Sequence, residues 1–302
     1  MEPLHELRAL VARHCLAGRS QTIIPRLSLM RSDVTTPPAQ GLYEPLVCFV
    51  VQGRKRVTFG SRLFDYDAAK YLIASVDLPA SGEIAEASAA TPYLAVALRL
   101  DPAMLAAMLI DMPEQAAGAV TGPGLTVSPV TAELIDPVLR LVRLIDRPCD
   151  IAMLAPLIER EILYRLMRGE QGATLRQIAL ADSRLSQVRR AIGWIKQHYD
   201  RPLRIEVLAE IARMSPSSLH RHFKAVTAMS PLQFQKRIRL QEARLRVLAD
   251  EADAASIGFA VGYESPSQFN REYRRLFGAP PARDAARLRG AAIDRGVLEQ
   301  SL

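Results

Sequence analysis

Two short stretches near the C-terminal end carry side chains that could read nucleic acid. Ser217, His220 and Arg221 stand in the first, and Ser267, Asn270 and Arg271 in the second. Arginine can pair bidentately with guanine and asparagine with adenine, whereas serine and histidine are less selective. Lys224, Arg274, Arg275, Lys236 and Arg237 suit phosphate contacts, which position a protein on a duplex without specifying sequence. Each assignment has an alternative. Arg221 and Arg271 could bind phosphate only, Arg271 could pair with Glu272 or Glu264, and His220 or His222 could be plain surface residues.

The elements that must hold these residues are written twice. Ser215-Pro216-Ser217-Ser218-Leu219-His220-Arg221-His222-Phe223-Lys224 returns 50 residues later as Ser265-Pro266-Ser267-Gln268-Phe269-Asn270-Arg271-Glu272-Tyr273-Arg274. A spacing of that size marks repeated supersecondary units. In each copy the serine oxygen can cap free N–H groups, and the proline fits the first turn of a helix. Leu219 with Phe223, and Phe269 with Tyr273, recur four positions apart and face inward, which turns Arg221 and Arg271 outward. Upstream of each copy runs another helical pattern, over 207–214 and 256–263, with Ala209, Ala212 and Gly258 small enough for close helix approach. Met214 and Tyr263 fill the corners. The second copy has one extra residue at its turn, Glu264, and Gly262 there suits a left-handed backbone. Apolar helix, tight turn, capped helix is the helix-turn-helix plan, whose second helix enters the major groove.

Charge is distributed to match. Residues 184–289 hold 20 Lys/Arg against 10 Asp/Glu, so +10 sits there and −3 on the remainder of a 302-residue chain of net charge +7. A basic end beside a mildly acidic one fits phosphate contact confined to that end. A non-specific architectural DNA binder would carry the same charge but have no preferred site.

The segments LHRHFKAVTAMSPLQFQKRIRLQEARLRVL and GYESPSQFNREYRRLFGAPPARDAARLR resemble the two-headed DNA-binding domain of the AraC/XylS family of transcription regulators. LYEPLVCFVVQGRKRVTFG, FDYDAAKYLIASVDLPASGEI and PYLAVALRLDPAMLA are similar to the regulatory domain of one subgroup. The resemblance covers most of the chain and implies a two-domain α+β fold. A cupin-like β-barrel with flanking helices would occupy 1–170 and a linker 171–185. An all-α domain of seven helices with two helix-turn-helix motifs would occupy 186–290, followed by a tail over 291–302. The implied function is sequence-specific regulation of transcription, without enzymatic activity. Double-stranded promoter DNA and RNA polymerase would be partners, the mode activation, and the signal a small molecule or a redox cue at the barrel. The family's recognition positions fall on Ser217, His220, Arg221, Ser267, Asn270 and Arg271. A long helix from Ser230-Pro231 to about Leu248 would hold the heads about one turn of DNA apart.

The first half reads as short strands between turn signals: Leu46–Val51, Lys55–Phe59, Leu63–Tyr66, Tyr71–Ser75 and Pro92–Leu100. Strands at this spacing suggest a small sandwich or barrel. Helical patterns run over 1–17, 103–110, 131–146 and 151–168, with a loop at Gly118–Gly124. The pair over 131–168 could cover the barrel or join two subunits as a homodimer. No histidine lies between His14 and His198, so a His-ligated metal in the barrel is not expected, and no cofactor is implied. No Gly-rich phosphate loop or nucleophile–base pair supports the rival possibility, an enzyme in the barrel half. What remains is a small-molecule pocket, with Tyr43, Cys48, Lys55 and Tyr66 in or beside strands. Cys48, between Val47 and Phe49, is either core filler or a sensing thiol, and sensing needs a depressed pKa and access. Lys55 could lower that pKa if it folds nearby; the plainer expectation is an exposed turn charge. Trp194 is expected in the core of the second domain. No signal peptide or apolar run of roughly 18 residues is visible. Three scattered cysteines, Cys15, Cys48 and Cys149, argue for a reducing cytoplasm.

Overall fold

The computed structural model describes residues 2–68, 70–112, 123–180, 182–249 and 253–293. Helix α1 (Glu2–His14) leads into nine strands. These are β1 (Gly18–Gln21), β2 (Leu27–Ser32), β3 (Ala39–Tyr43), β4 (Leu46–Gln52), β5 (Arg54–Phe59), β6 (Arg62–Asp67), β7 (Lys70–Ala74), β8 (Leu78–Glu86) and β9 (Tyr93–Arg99). Helix α2 (Pro102–Asp111) starts where the Asp101 carboxylate accepts from the Ala103 and Met104 N–H groups. Strand β10 (Leu125–Pro129) and helices α3 (Ala132–Arg143), α4 (Pro148–Arg168) and α5 (Gly172–Ala179) follow. Most of the loop expected at Gly118–Gly124 lies outside the described residues.

The strands form two antiparallel sheets, one in the order β1-β2-β9-β4-β7-β10 and the other β3-β8-β5-β6. Strand β4 is buried almost throughout. One face meets the interior, and α1 packs against the strand as well. Strand β8 has nine residues and lies inside its sheet, between β3 and β5, although Pro79, Ser81 and Gly82 read locally as a turn. The stretch expected to be a linker contains α5, whose Leu175 and Ile178 are buried where it packs on α2 and α4.

The second domain comprises α6 (Arg184–Gln197), α7 (Ile205–Ala212), α8 (Pro216–Thr227), α9 (Pro231–Leu248), α10 (Ala254–Ala260), α11 (Pro266–Phe277) and α12 (Pro281–Ile293). The tail beyond 293 is outside the described residues. Helices α8, α9 and α11 each begin with serine as cap and proline in the first turn. In α9, Ser230 and Gln233 cap each other's backbone reciprocally, which satisfies two otherwise free donors.

The internal repeat has a structural counterpart at the corners. Met214 N–H donates to the Ala209 carbonyl at 2.9 Å, and Tyr263 N–H to the Gly258 carbonyl at 3.0 Å. The turn is left-handed in both, at Arg213 (φ 55°) and Gly262 (φ 91°). Only the second demands glycine for space, because a Cβ at 262 would stand 2.2 Å from the Asp200 carbonyl oxygen. The corners repeat at an offset of 49 residues and the following helices at 50, so Glu264 is the inserted residue.

Two hydrophobic cores divide the molecule unevenly. One runs from the sheets through α6, α7 and α8 to Phe234 and Ile238 on α9. The other begins at Leu240 and gathers Ala243, Ile257, Tyr263, Phe269, Tyr273 and Phe277. The first helix pair thus shares a core with the sheet domain, and the second forms its own unit at the far end of α9. Trp194 is only partly buried and stacks on His198, with ring centroids 4.6 Å apart.

Candidate functional site

Helices α8 and α11 bury the same positions and expose the same positions. Leu219 and Phe223 on α8, and Phe269 and Tyr273 on α11, are fully buried. Ser217, His220, Arg221 and Lys224 are exposed, and so are Ser267, Asn270, Arg271 and Arg274. Residues three and four apart share one helical face, so each helix presents a continuous polar and basic strip to solvent. The strips lie on the first two to three turns, where serine caps fix the helix start: Ser215 Oγ accepts from Ser218 N–H at 3.3 Å, and Ser265 Oγ from Gln268 N–H at 3.5 Å.

Several neighbouring polar residues serve the fold instead. His222 is buried on the inner side of α8 and is not a plain surface residue. Burial, with Arg221 and Arg184 nearby, holds its pKa below the ordinary value. Its counterpart Glu272 is buried too and does not pair with Arg271. Its carboxylate accepts from Lys236 Nζ at 2.9 Å, the Tyr263 hydroxyl at 3.0 Å and Gln268 Nε2 at 3.3 Å. Lys236 is thereby committed to the second pair, and Arg237 donates to Gln40 Oε1 at 3.1 Å. Both are expected on phosphate, and without DNA both are engaged by side-chain partners inside the protein. Arg275 remains exposed. Arg239 ties the two pairs together, donating to the carbonyls of Tyr199, Arg201 and Gly262.

The four barrel residues singled out from sequence lie close together. Alternation along β5 points Lys55, Val57 and Phe59 inward, and Lys55 stands opposite Tyr66 on β6 and Ile84 on β8. Lys55 is not an exposed turn charge: its ammonium lies 5.4 Å from the Tyr43 ring centroid and close to the Tyr43 hydroxyl. From the other sheet, Cys48 comes beside Lys55, Tyr66 and Tyr93. Tyr93 is a fifth member that the sequence reading does not include. The signal that could find it is the alternation along β9, which places Tyr93 on one side of the strand with Ala95 and Ala97. Burial pushes the Cys48 thiol up, against the opposing effect of Lys55, so the thiol stays protonated at neutral pH. The depressed pKa that a sensing thiolate needs is absent. Among the described residues no His/Cys/Asp/Glu cluster could hold a metal, and no helix is long and apolar enough to cross a membrane.

Helices α6, α8 and α9, around the first helix pair, touch the sheet domain through specific polar contacts. Lys196 Nζ on α6 pairs with Asp77 Oδ1 at 2.6 Å. The Gly124 N–H donates to the Val226 carbonyl on α8 at 2.9 Å. Arg237 on α9 reaches Gln40 on β3.

A basic helical domain presenting two solvent-facing strips, docked on a sheet domain with a buried polar cluster, fits a DNA-binding regulator. Residues 23–174 match the family model for the AraC-type transcriptional regulator N-terminus, and residues 208–287 match a helix-turn-helix domain. The chain belongs to the AraC-type transcriptional regulators. It is 30% identical over 171 residues to the HTH-type transcriptional regulator CdhR of Pseudomonas aeruginosa, covering 55% of this chain and 48% of that protein. It is 28% identical over 167 residues to the HTH-type transcriptional activator RhaS of Salmonella schwarzengrund, covering 54% and 58%. The chain thus spans about half the length of the curated relatives it matches. The fold also matches ToxT from Vibrio cholerae, crystallised with unsaturated fatty acid bound, at a TM-score of 0.59 and 9% identity over 91% of this chain and 96% of that one.

Proposed function

We propose that this protein regulates transcription by reading promoter DNA with two heads, and that the barrel governs the heads through a small molecule. It is a binding protein and not an enzyme. The observation that carries the proposal is the pair of matching exposed strips on α8 and α11, held apart by one 18-residue helix, α9. Arg221, Arg271 and Asn270 would contact base edges, with Ser217, His220 and Ser267 adding less selective contacts. Lys224 and Arg274 would hold phosphate. The +10 charge of this region supplies the salt-dependent part of affinity. Activation, as in the RhaS name, would bring RNA polymerase to the bound complex.

The uneven division of cores supports a mechanism. The first head, with α6 and the start of α9 beside it, shares a core and three polar contacts with the barrel domain, and the second does not. A ligand that favours one arrangement of the barrel against α6, α8 and α9 therefore shifts the population of head arrangements competent for DNA. Helix α4 supports a homodimer. Its inner face is buried, while Met153, Leu157 and Tyr164 are left 74%, 63% and 46% exposed, a patch of the kind that marks protein contact.

Site selection from random duplex DNA at physiological salt tests the central claim. An enriched motif spanning two successive major grooves is the expected outcome. Salt-dependent binding with no enriched motif would replace it with an architectural role.

A further inference from the structure

Strand β5 carries three consecutive basic residues, and only the middle one lacks a carboxylate. Arg54 pairs with Glu86 at 3.0 Å, and Arg56 with Asp65 at 2.9 Å and Glu83 at 3.5 Å, on the outer face of the sheet. Lys55 points the other way, and the groups around its ammonium are Tyr43, Cys48 and Arg19. None of the three is a carboxylate. A buried cation is costly unless an anion and hydrogen bonds compensate it.

Two further groups at the same place are unsatisfied. Tyr66 and Tyr93 are fully buried, and neither hydroxyl has a hydrogen-bonded oxygen or nitrogen partner. Native proteins pair nearly all such groups, so an unpaired one marks strain, function or a missing partner. Both hydroxyls lie beside the Cys48 thiol, next to Lys55, and a thiol sulfur is only a weak acceptor. One ammonium and two phenolic O–H donors, from both sheets, thus converge with no acceptor of matching charge.

The surrounding walls are apolar. Val57 and Phe59 share the face of Lys55, and Ala97 stands opposite Cys48 and Ala95 opposite Val50. Tyr43 and Lys55 are half-buried while Cys48, Tyr66 and Tyr93 are closed off, so the approach is from the β3 side. There Gly41, on the same face of β3 as Tyr43, leaves room: a Cβ would meet nothing within 4 Å.

We propose that the barrel interior binds a small organic monocarboxylate, its carboxylate between the Lys55 ammonium and the Tyr66 and Tyr93 hydroxyls and its apolar body against Val57, Phe59 and the alanines. The proposal rests on the barrel being the effector domain and names the chemical class of its ligand. One carboxylate accepts from all three donors and neutralises the lysine. Arg19 adds positive potential to the same region. The mouth adjoins Gln40, which holds Arg237 of α9, so an occupant is placed one residue from a contact with the DNA-binding domain.

The test uses the full chain, with acetate, benzoate and octanoate as probes, each set against its primary amide of nearly equal shape. Thermal shift and titration calorimetry are the readouts. At least one carboxylate should raise the melting temperature and bind, and its amide should not. Lys55→Met should weaken that carboxylate roughly 10–100-fold, the loss of one charge-assisted bond, and should melt no lower than wild type without ligand. Tyr66→Phe with Tyr93→Phe, which keeps the lysine, should weaken it several-fold. Amides binding as well as carboxylates, with no effect of Lys55→Met, would overturn the anion assignment and leave the barrel as an effector domain for neutral ligands. No binding by any probe would overturn the proposal, while DNA site selection still tests the two heads separately.

Discussion

Replacing Glu272 with alanine should loosen the second head and leave the first intact. Glu272 is 7% exposed and its carboxylate accepts three hydrogen bonds, from Lys236, Tyr263 and Gln268. Without it the buried Tyr263 hydroxyl has no partner, which costs roughly 1–3 kcal/mol. The Lys236 side chain is 38% exposed, so its ammonium recovers water and its share is only about 0–1 kcal/mol. The sum is about 1–4 kcal/mol. Because the second head has its own core, the loss should appear as a separate calorimetric transition lowered by about 4 °C or more. The barrel transition should not move. Footprinting on a selected site should lose protection of one half only. Glu272→Gln, which keeps the shape, should cost about 1 kcal/mol. Acid gives an independent check. Burial raises the Glu272 pKa, but the bonds from Lys236, Gln268 and Tyr263 outweigh it and hold it below its ordinary 4.5. A lowered carboxylate stabilises the fold above its unfolded pKa and loses that contribution as pH falls through the folded value. The second-head transition should therefore fall on acidification below about pH 4.5, and less so in Glu272→Gln. A Glu272→Ala protein that melts like wild type and protects both halves would refute the reasoning.

Arg221→Ala should cost roughly 1–3 kcal/mol on the selected site and relax one base position; equal weakening on all sequences would reassign Arg221 to phosphate. Asp77→Asn breaks the 2.6 Å bridge to Lys196 and should change DNA affinity several-fold without ligand, by anisotropy at fixed salt. An unchanged affinity would remove that bridge from the signalling route. A thiol-reactive dye at pH 8 should label Cys149 quickly. Cys15 and Cys48 should react only on unfolding, since both are buried and burial raises both pKa values; three fast thiols would contradict this. Leu157→Arg on the exposed face of α4 should shift sedimentation from dimer to monomer, and a wild-type protein that is monomeric at micromolar concentration would exclude that interface.

The repeated Ser-Pro starts, the inward pairs Leu219/Phe223 and Phe269/Tyr273, and the extra residue at Glu264 make both heads legible in the sequence alone. Their information is local: caps, period and corner residues act within one or two turns. Strands such as β4 and β5 are legible for the same reason, in alternation between turn signals. Strand β8 is not, because Pro79, Ser81 and Gly82 oppose a strand locally and only pairing with β3 and β5 on either side overrides them. Strand β10 is equally hidden, a short segment held by pairing with β7. Helix α5 falls where a linker is expected, since its burial depends on α2 and α4.

What the chain determined by itself is therefore the repeated pair of capped helices, its basic charge and the family it resembles. Tertiary structure alone decided which polar residues stay free. Lys236, Arg237, Lys224 and Arg274 look alike in sequence, yet the fold turns the first two onto Glu272 and Gln40 and leaves the other two in solvent. It also turned Lys55 away from carboxylates that its neighbours Arg54 and Arg56 reach. The physical reason is that a side chain's partners are set by long-range packing, across 36 residues for Lys236 and 197 for Arg237, and no local pattern encodes separations of that length.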